Sequence, residues 1–222
     1  MTNKLVEINN VSKEIKGREV LKDISLDLYE GKIYGVVGHN GSGKTMLLRL
    51  ILGLIHSKPT VQYKKDNLSF GAIIENPGFI LGLSGLQNLK LLASIKKKIN
   101  EQKIKETLKM VGLDPTNKKQ VKTYSLGMKQ KLALAQAIME EPDVLVLDEP
   151  TNGLDSGSVA NIRKLILSQK KNGSTIVLTS HNPQDIEELC DEYIELENGK
   201  IVNRVDNQRG SSDVQSNVNL PL

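Results

Sequence analysis

The sequence predicts an α/β domain built on a mainly parallel sheet with helices on both faces. Three observations point there. Nearly continuous apolar runs at residues 32–37, 71–74, 144–147 and 175–178 have the character of strands buried on both sides. Segments whose apolar residues recur at helical spacing lie between them. The length, 222 residues, is enough for one such domain to bury a sizeable core.

In chain order, residues 5–8 and 24–28 alternate apolar and polar side chains and read as half-buried, antiparallel strands. Residues 32–37 form a central strand that runs into a Gly-rich loop at 38–43. A helix follows, with Leu47, Leu50, Ile51 and Leu54 on one face. Residues 71–74 are a short strand ended by the turn signal Asn76-Pro77-Gly78. From 86 to 139 the apolar spacing is helical and the surface is rich in Lys, which reads as a subdomain inserted between two sheet strands. Residues 144–147 form a buried parallel strand, 159–167 a helix and 175–178 another buried strand. Glu197-Asn198-Gly199-Lys200 reads as a hairpin turn between 193–196 and 201–205. From Asp206 the chain is polar and reads as a flexible tail. The expected boundaries are one domain at 1–205, its helical subdomain at about 77–139, and a tail at 206–222.

Composition narrows the function classes. The 30 basic and 26 acidic residues give a net charge of +4, too mild for a chain that binds nucleic acid through its charge. Aromatic residues make up 3% and Trp is absent, so platforms for stacking single-stranded bases are scarce. The one cysteine, Cys190, cannot build a disulfide framework and reads as a reduced, cytosolic thiol. The longest apolar stretch, 47–55, is interrupted by Arg49 and falls short of the ~20 residues of a membrane span. No secretory signal is visible at residues 1–6, so the protein is expected to stay where it is made.

Two clusters carry chemistry. Gly38-His39-Asn40-Gly41-Ser42-Gly43-Lys44-Thr45 matches the P-loop pattern between a strand and a helix. Its glycines let successive backbone N–H groups turn toward phosphate oxygens, and the helix adds its positive end. Lys44 is placed to reach β- and γ-phosphates and the Thr45 hydroxyl to ligate Mg²⁺. His39 occupies a variable loop position and reads as an exposed spacer. Downstream, the strand at 144–147 delivers Asp148 and Glu149 at its end, the mouth of an open α/β sheet. Asp148 is expected to hold Mg²⁺, directly or through water, and Glu149 to polarise an attacking water.

Further segments extend the pattern into a family resemblance. Tyr124-Ser125-Leu126-Gly127-Met128-Lys129-Gln130 resembles the signature of ABC transporter ATP-binding subunits, Asn152-Gly153-Leu154-Asp155 their D-loop, and His181 their switch histidine. With the P-loop and the Asp148-Glu149 strand, five motifs stand in the family's order, and the resemblance covers nearly the whole chain. It implies a RecA-like P-loop core, an N-terminal antiparallel β-layer and an inserted helical subdomain. It implies ATP and Mg²⁺ as cofactors and hydrolysis that involves Glu149, His181 and Glu75. It also implies a head-to-tail dimer, with itself or a paralogue, in which each ATP lies between one P-loop and the partner's Ser125, Gly127 and Asp155. A separate polytopic membrane permease would hold the ATPase at the cytoplasmic face of the membrane, with no role for nucleic acid. Ser125 and Gly127 open the apolar helix around Leu132, Ala135 and Met139, whose positive end suits a phosphate; Ser125 also suits an ordinary N-cap.

This sequence departs from the family in three places. Leu126 and Met128 stand where Gly and Gln are usual in the signature. Glu75 occupies the Q-loop position, from which it would reach the Mg²⁺–γ-phosphate region. Ile15 aligns with the aromatic residue that stacks on adenine, which predicts weak stacking. The β-layer is also shortened between 59 and 70. Glu75 together with Tyr-Ser-Leu-Gly-Met resembles the ATPases of bacitracin-resistance and lantibiotic self-immunity exporters, which implies an exporter of antimicrobial-peptide or drug-like cargo. A nucleic-acid or ribosome-acting ATPase would have to use the lysines at 96–98, 118–119 and 122, which read better as a solvated helical face. A regulatory module without hydrolysis is disfavoured by the presence of Lys44, Asp148, Glu149 and His181 together.

Overall fold

The computed structural model describes residues 3–75 and 78–207. The chain opens with an antiparallel hairpin, β1 (Lys4–Ile15) and β2 (Arg18–Tyr29). Its turn, Lys16-Gly17, has φ of 50° and 75°, the doubly positive geometry that matches the twist of the flanking strands. Both strands run well beyond 5–8 and 24–28. Register shifts between Ile8 and Val11 and between Val11 and Lys13 break the alternation that would have revealed their length. Next come β3 (Ile33–Val37), the Gly-rich loop and helix α1 (Lys44–Ile51). Leu54, expected on the buried face of that helix, lies outside it: the helix stops at Ile51, Gly53 turns at φ 68°, and Leu54 is 67% exposed. A two-residue strand, β4 (Gln62–Tyr63), returns to pair with β1.

After β5 (Phe70–Ile73) comes the helical insertion: α2 (Gly85–Lys96), α3 (Glu101–Met110), a 3-10 turn at Val121–Thr123, and α4 (Leu126–Ile138). Each helix has a side-chain N-cap that satisfies an otherwise unpaired N–H. Ser84 forms a reciprocal capping box with Gln87, Asn100 caps α3, and Ser125 caps α4 by accepting from the Met128 N–H at 3.2 Å. The remainder is β6 (Val144–Leu147), α5 (Ser156–Lys171), β7 (Thr175–Thr179), α6 (Pro183–Leu189), β8 (Glu192–Glu197) and β9 (Lys200–Asp206). The β8–β9 turn is Asn198-Gly199, at φ 46° and 82°. Ordered structure continues to Asn207, whose side-chain amide donates to the Ile186 and Cys190 carbonyl oxygens at 3.1 and 3.0 Å. The remainder of the expected tail, 208–222, and the Asn76-Pro77 turn lie outside the described residues.

The large sheet has the strand order β5-β6-β7-β3-β8-β9; its first five strands are parallel and β9 is antiparallel. The three-stranded layer β2-β1-β4 is antiparallel. Alternate residues of the central strands face two cores. Leu145 and Leu147 of β6 pack with the helical insertion, α5 and α6, while Val144 and Val146 pack with α1 and the antiparallel layer. Burial on both faces explains why these strands read as unbroken apolar runs. Among the described residues no helix is long and apolar enough to cross a membrane.

Candidate active site

The site sits at the carboxyl ends of β3, β6 and β7, which are neighbours in the sheet. The loop after β3 needs its glycines. Gly38, Gly41 and Gly43 have φ of 149°, 82° and 112°. A Cβ on Gly38 would overlap the Leu196 carbonyl oxygen, and one on Gly43 would lie 3.0 Å from the Val20 carbonyl oxygen. Ser42 is 1% exposed, and its hydroxyl has no hydrogen-bond partner among the described residues. Asn40 and Gly41 border the cavity described below; His39, which is exposed, does not.

Lys44 begins α1 and is largely buried. Its Nζ donates to the Gly38 and His39 carbonyl oxygens at 2.6 and 3.2 Å. Burial pushes its pKa down, and the carboxylates of Glu149 and Asp148 oppose that shift. Thr45 Oγ1 donates to Asp148 Oδ2 at 2.8 Å, and Thr179 Oγ1 donates to Asp148 Oδ1 at 2.6 Å. Glu149, at φ 50°, donates its backbone N–H to Thr179 Oγ1 at 2.9 Å. Glu149 Oε1 lies 3.0 Å from His181 Nε2. Burial raises the Glu149 pKa, against the opposing influence of His181 and Lys44.

Lys44, Thr45, Asp148, Glu149 and His181 line a cavity of about 1060 Å³. The hydroxyl of Thr45 and the carboxylate of Asp148 are hard oxygen donors of the kind Mg²⁺ takes. Among the described residues no cluster of three or more His, Cys, Asp or Glu could hold a metal by itself. A cation at Thr45 and Asp148 would therefore complete its shell with water and phosphate oxygens, which fits a site built around a nucleotide.

Other expected residues lie elsewhere. Glu75, at φ 57°, does not line the cavity; its carboxylate accepts from Arg49 Nη2 of α1 at 2.7 Å. Ser125, Gly127 and Asp155 are also outside it. Asp155 caps α5, accepting from the Ser158 N–H and hydroxyl at 2.9 and 2.7 Å. The signature and D-loop segments touch one another: a Cβ on Gly127 would lie 3.4 Å from Leu154, and one on Gly153 would lie 2.9 Å from Leu126.

Sequence reasoning missed several contributors. The β1–β2 turn and the start of β2 supply Gly17, Arg18, Glu19 and Val20 to the cavity wall, and the β8–β9 turn supplies Asn198 and Gly199. Asn198-Gly199 was legible as a turn, but only the fold brings it to the loop, where the Gly199 N–H donates to the Ser42 carbonyl oxygen at 2.8 Å. Ile15, 39% exposed, does not border the cavity, and no Phe, Tyr or Trp among the described residues does.

A protein-family model described as ABC transporter matches residues 21–152. The chain is 43% identical over 206 residues to the uncharacterized ABC transporter ATP-binding protein YybJ of Bacillus subtilis (strain 168), covering 89% of this chain and 94% of that protein. It is 37% identical over 212 residues to the bacitracin transport ATP-binding protein BcrA of Enterococcus faecalis (90% and 69% covered). It is 34% identical over 206 residues to the lantibiotic transport ATP-binding protein SrtF of Streptococcus pyogenes, covering 89% of each. In fold it is similar to the dimeric, post-hydrolysis ATP-binding cassette MJ0796 bound to ADP and Pi, with a TM-score of 0.83 and 23% identity over 92% of this chain and 100% of that one.

Proposed function

The chain belongs to the ABC transporter family of ATPases, and from that premise we propose that it powers export through a separate membrane-spanning permease. The observation that carries the reading is the meeting of Lys44, Thr45, Asp148, Glu149 and His181 around one cavity at the ends of three adjacent strands. In this reading the loop N–H groups and Lys44 bind the ATP phosphates. Thr45 and Asp148 would hold Mg²⁺, which would supply positive charge against the phosphate oxygens. Glu149 orients and deprotonates the attacking water, and His181 stands beside it with Nε2 3.0 Å from Glu149 Oε1.

Ser125, Gly127 and Asp155 serve the cavity of a second subunit, either the same chain or a paralogue. Their location outside their own cavity, on the capped start of α4 and beside it, supports that role. Glu75 stands between α1 and the start of the helical insertion and carries motion between nucleotide and permease. The ATPase itself is held at the cytoplasmic face of the membrane by the permease. Bacitracin and lantibiotic transport by the relatives BcrA and SrtF supports antimicrobial peptides as the cargo class.

The test is Glu149→Gln. Loss of the base should lower ATP turnover by ~10²–10⁴-fold. ATP binding should remain, and the variant should accumulate on ATP as a dimer by size-exclusion chromatography. Wild-type turnover in this variant would exclude Glu149 from the role.

A further inference from the structure

The two catalytic carriers, Glu149 and His181, stand on separate loops after β6 and β7. A buried ionic centre that neither loop's motif includes ties those loops together. Asp185, on α6, is 1% exposed. Its Oδ2 accepts from Thr151 Oγ1 at 2.6 Å and from Ser180 Oγ at 2.7 Å. Thr151 is two residues beyond Glu149, and Ser180 immediately precedes His181. The other oxygen, Oδ1, accepts from Arg163 Nε of α5 at 2.7 Å, and Arg163 Nη2 lies 2.6 Å from it. Arg163, Thr151 and Ser180 are each less than 9% exposed. The Ser180 hydroxyl in turn accepts from the Asn182 N–H at 3.0 Å. One carboxylate oxygen therefore holds both loops at once, and a buried arginine pairs with the other oxygen and holds the carboxylate in place.

We propose that Asp185 is a positioning residue for hydrolysis, which holds the Glu149 and His181 loops at the spacing that catalysis needs. The proposal rests on the catalytic reading of Glu149 and His181 above. Its physical logic is the Glu149 Oε1–His181 Nε2 separation of 3.0 Å. Backbone bonds of β6 to β7 fix the strands up to Leu147 and Leu178. Beyond them, Thr179 ties the base of the two loops through Asp148 and the Glu149 N–H. The Asp185 oxygen ties them again past the reacting groups. Removing that second tie lets His181 and Glu149 drift apart without disturbing the Lys44 loop that binds phosphate.

Asp185→Asn leaves Arg163 with only the more exposed Glu188, 3.2 Å from its Nη1, as a charge partner and can fail by unfolding, so the decisive variants are Thr151→Val and Ser180→Ala in the full chain. Each deletes one hydroxyl and leaves the Asp185–Arg163 pair intact. Steady-state ATPase should show kcat lowered by about 10- to 100-fold, with KM for ATP within about twofold and the melting temperature close to wild type. Thr151→Ser, which restores the hydroxyl, should recover kcat. Wild-type kcat in both Thr151→Val and Ser180→Ala overturns the proposal, as does a loss in Thr151→Val that Thr151→Ser shares. Glu149→Gln assayed in parallel separates the two readings. If it is inactive while Thr151→Val is normal, only the positioning role fails; if Glu149→Gln itself is normal, the catalytic reading fails first.

Discussion

Burial of Glu149 sets its charge against the stability of the fold. Because its pKa is raised in the folded chain, the folded state holds a proton over a pH range in which the unfolded chain has lost it. Stability therefore falls as pH rises from the ordinary glutamate pKa, about 4.3, through the raised value. Above that window the ionised carboxylate remains a burden on the fold. Glu149→Gln removes it and should raise the melting temperature at neutral pH. The advantage should vanish as the pH is lowered through the window. A glutamine variant that melts at or below wild type at neutral pH would show that the carboxylate is not a burden there. Of the residues in this centre, Lys44, Thr45, Asp148 and Glu149 were legible in sequence because strand-to-loop transitions mark where such groups emerge, and His181 only through the family resemblance. Thr179, Thr151 and Asp185 were not, since a buried hydroxyl or carboxylate has no pattern until its partners are in place.

At the scale of elements, the helical insertion meets the sheet at Gly71 of the edge strand β5. A Cβ there would overlap the Ala137 carbonyl oxygen of α4 and press on the Pro142 ring. Backbone cannot yield as a flexible side chain can, so Gly71→Ala should cost about 1–3 kcal/mol or more by overpacking. Thermal melting of the variant should show a loss of several degrees. KM for ATP should stay within about twofold, since the cavity lies at the other end of the strands. An unchanged Tm would mean that α4 slides freely on β5. The sequence read β5 as residues 71–74 and the observed strand is Phe70–Ile73, a shift of one that the parallel register with Val144–Leu147 explains. α6 went unread because Pro183–Leu189 is too short to show a helical period.

At the scale of the whole molecule, the proposed transport role requires that a change at the cavity reach a permease. Glu75 and Arg49 join α1 to the chain segment entering the insertion. Their side chains are 62% and 35% exposed, so the pair contributes at most about 1 kcal/mol to stability. Its value would lie in coupling. In the assembled transporter, Glu75→Ala should keep ATP turnover within about twofold while export per ATP falls by about fivefold or more. Glu75→Gln should lose less, because the amide oxygen can still accept from Arg49. Bacitracin or lantibiotic challenge of cells carrying the transporter supplies the export readout. Unchanged export at unchanged ATP cost would exclude the role.

The sequence by itself determined the α/β class, the parallel strands, the phosphate loop and the acidic strand end. Each is local: a run of apolar residues, a glycine pattern or a carboxylate pair is complete within a few positions. Tertiary structure decided what depends on distant segments meeting. It brought the β1–β2 and β8–β9 turns against the phosphate loop, and left Ile15 off the cavity wall. It turned Glu75 onto Arg49, and drew Thr151, Ser180 and Arg163 around Asp185. Hydrogen bonds between loops that are tens of residues apart have no period in the sequence, because their geometry exists only once the sheet has set the strand ends side by side.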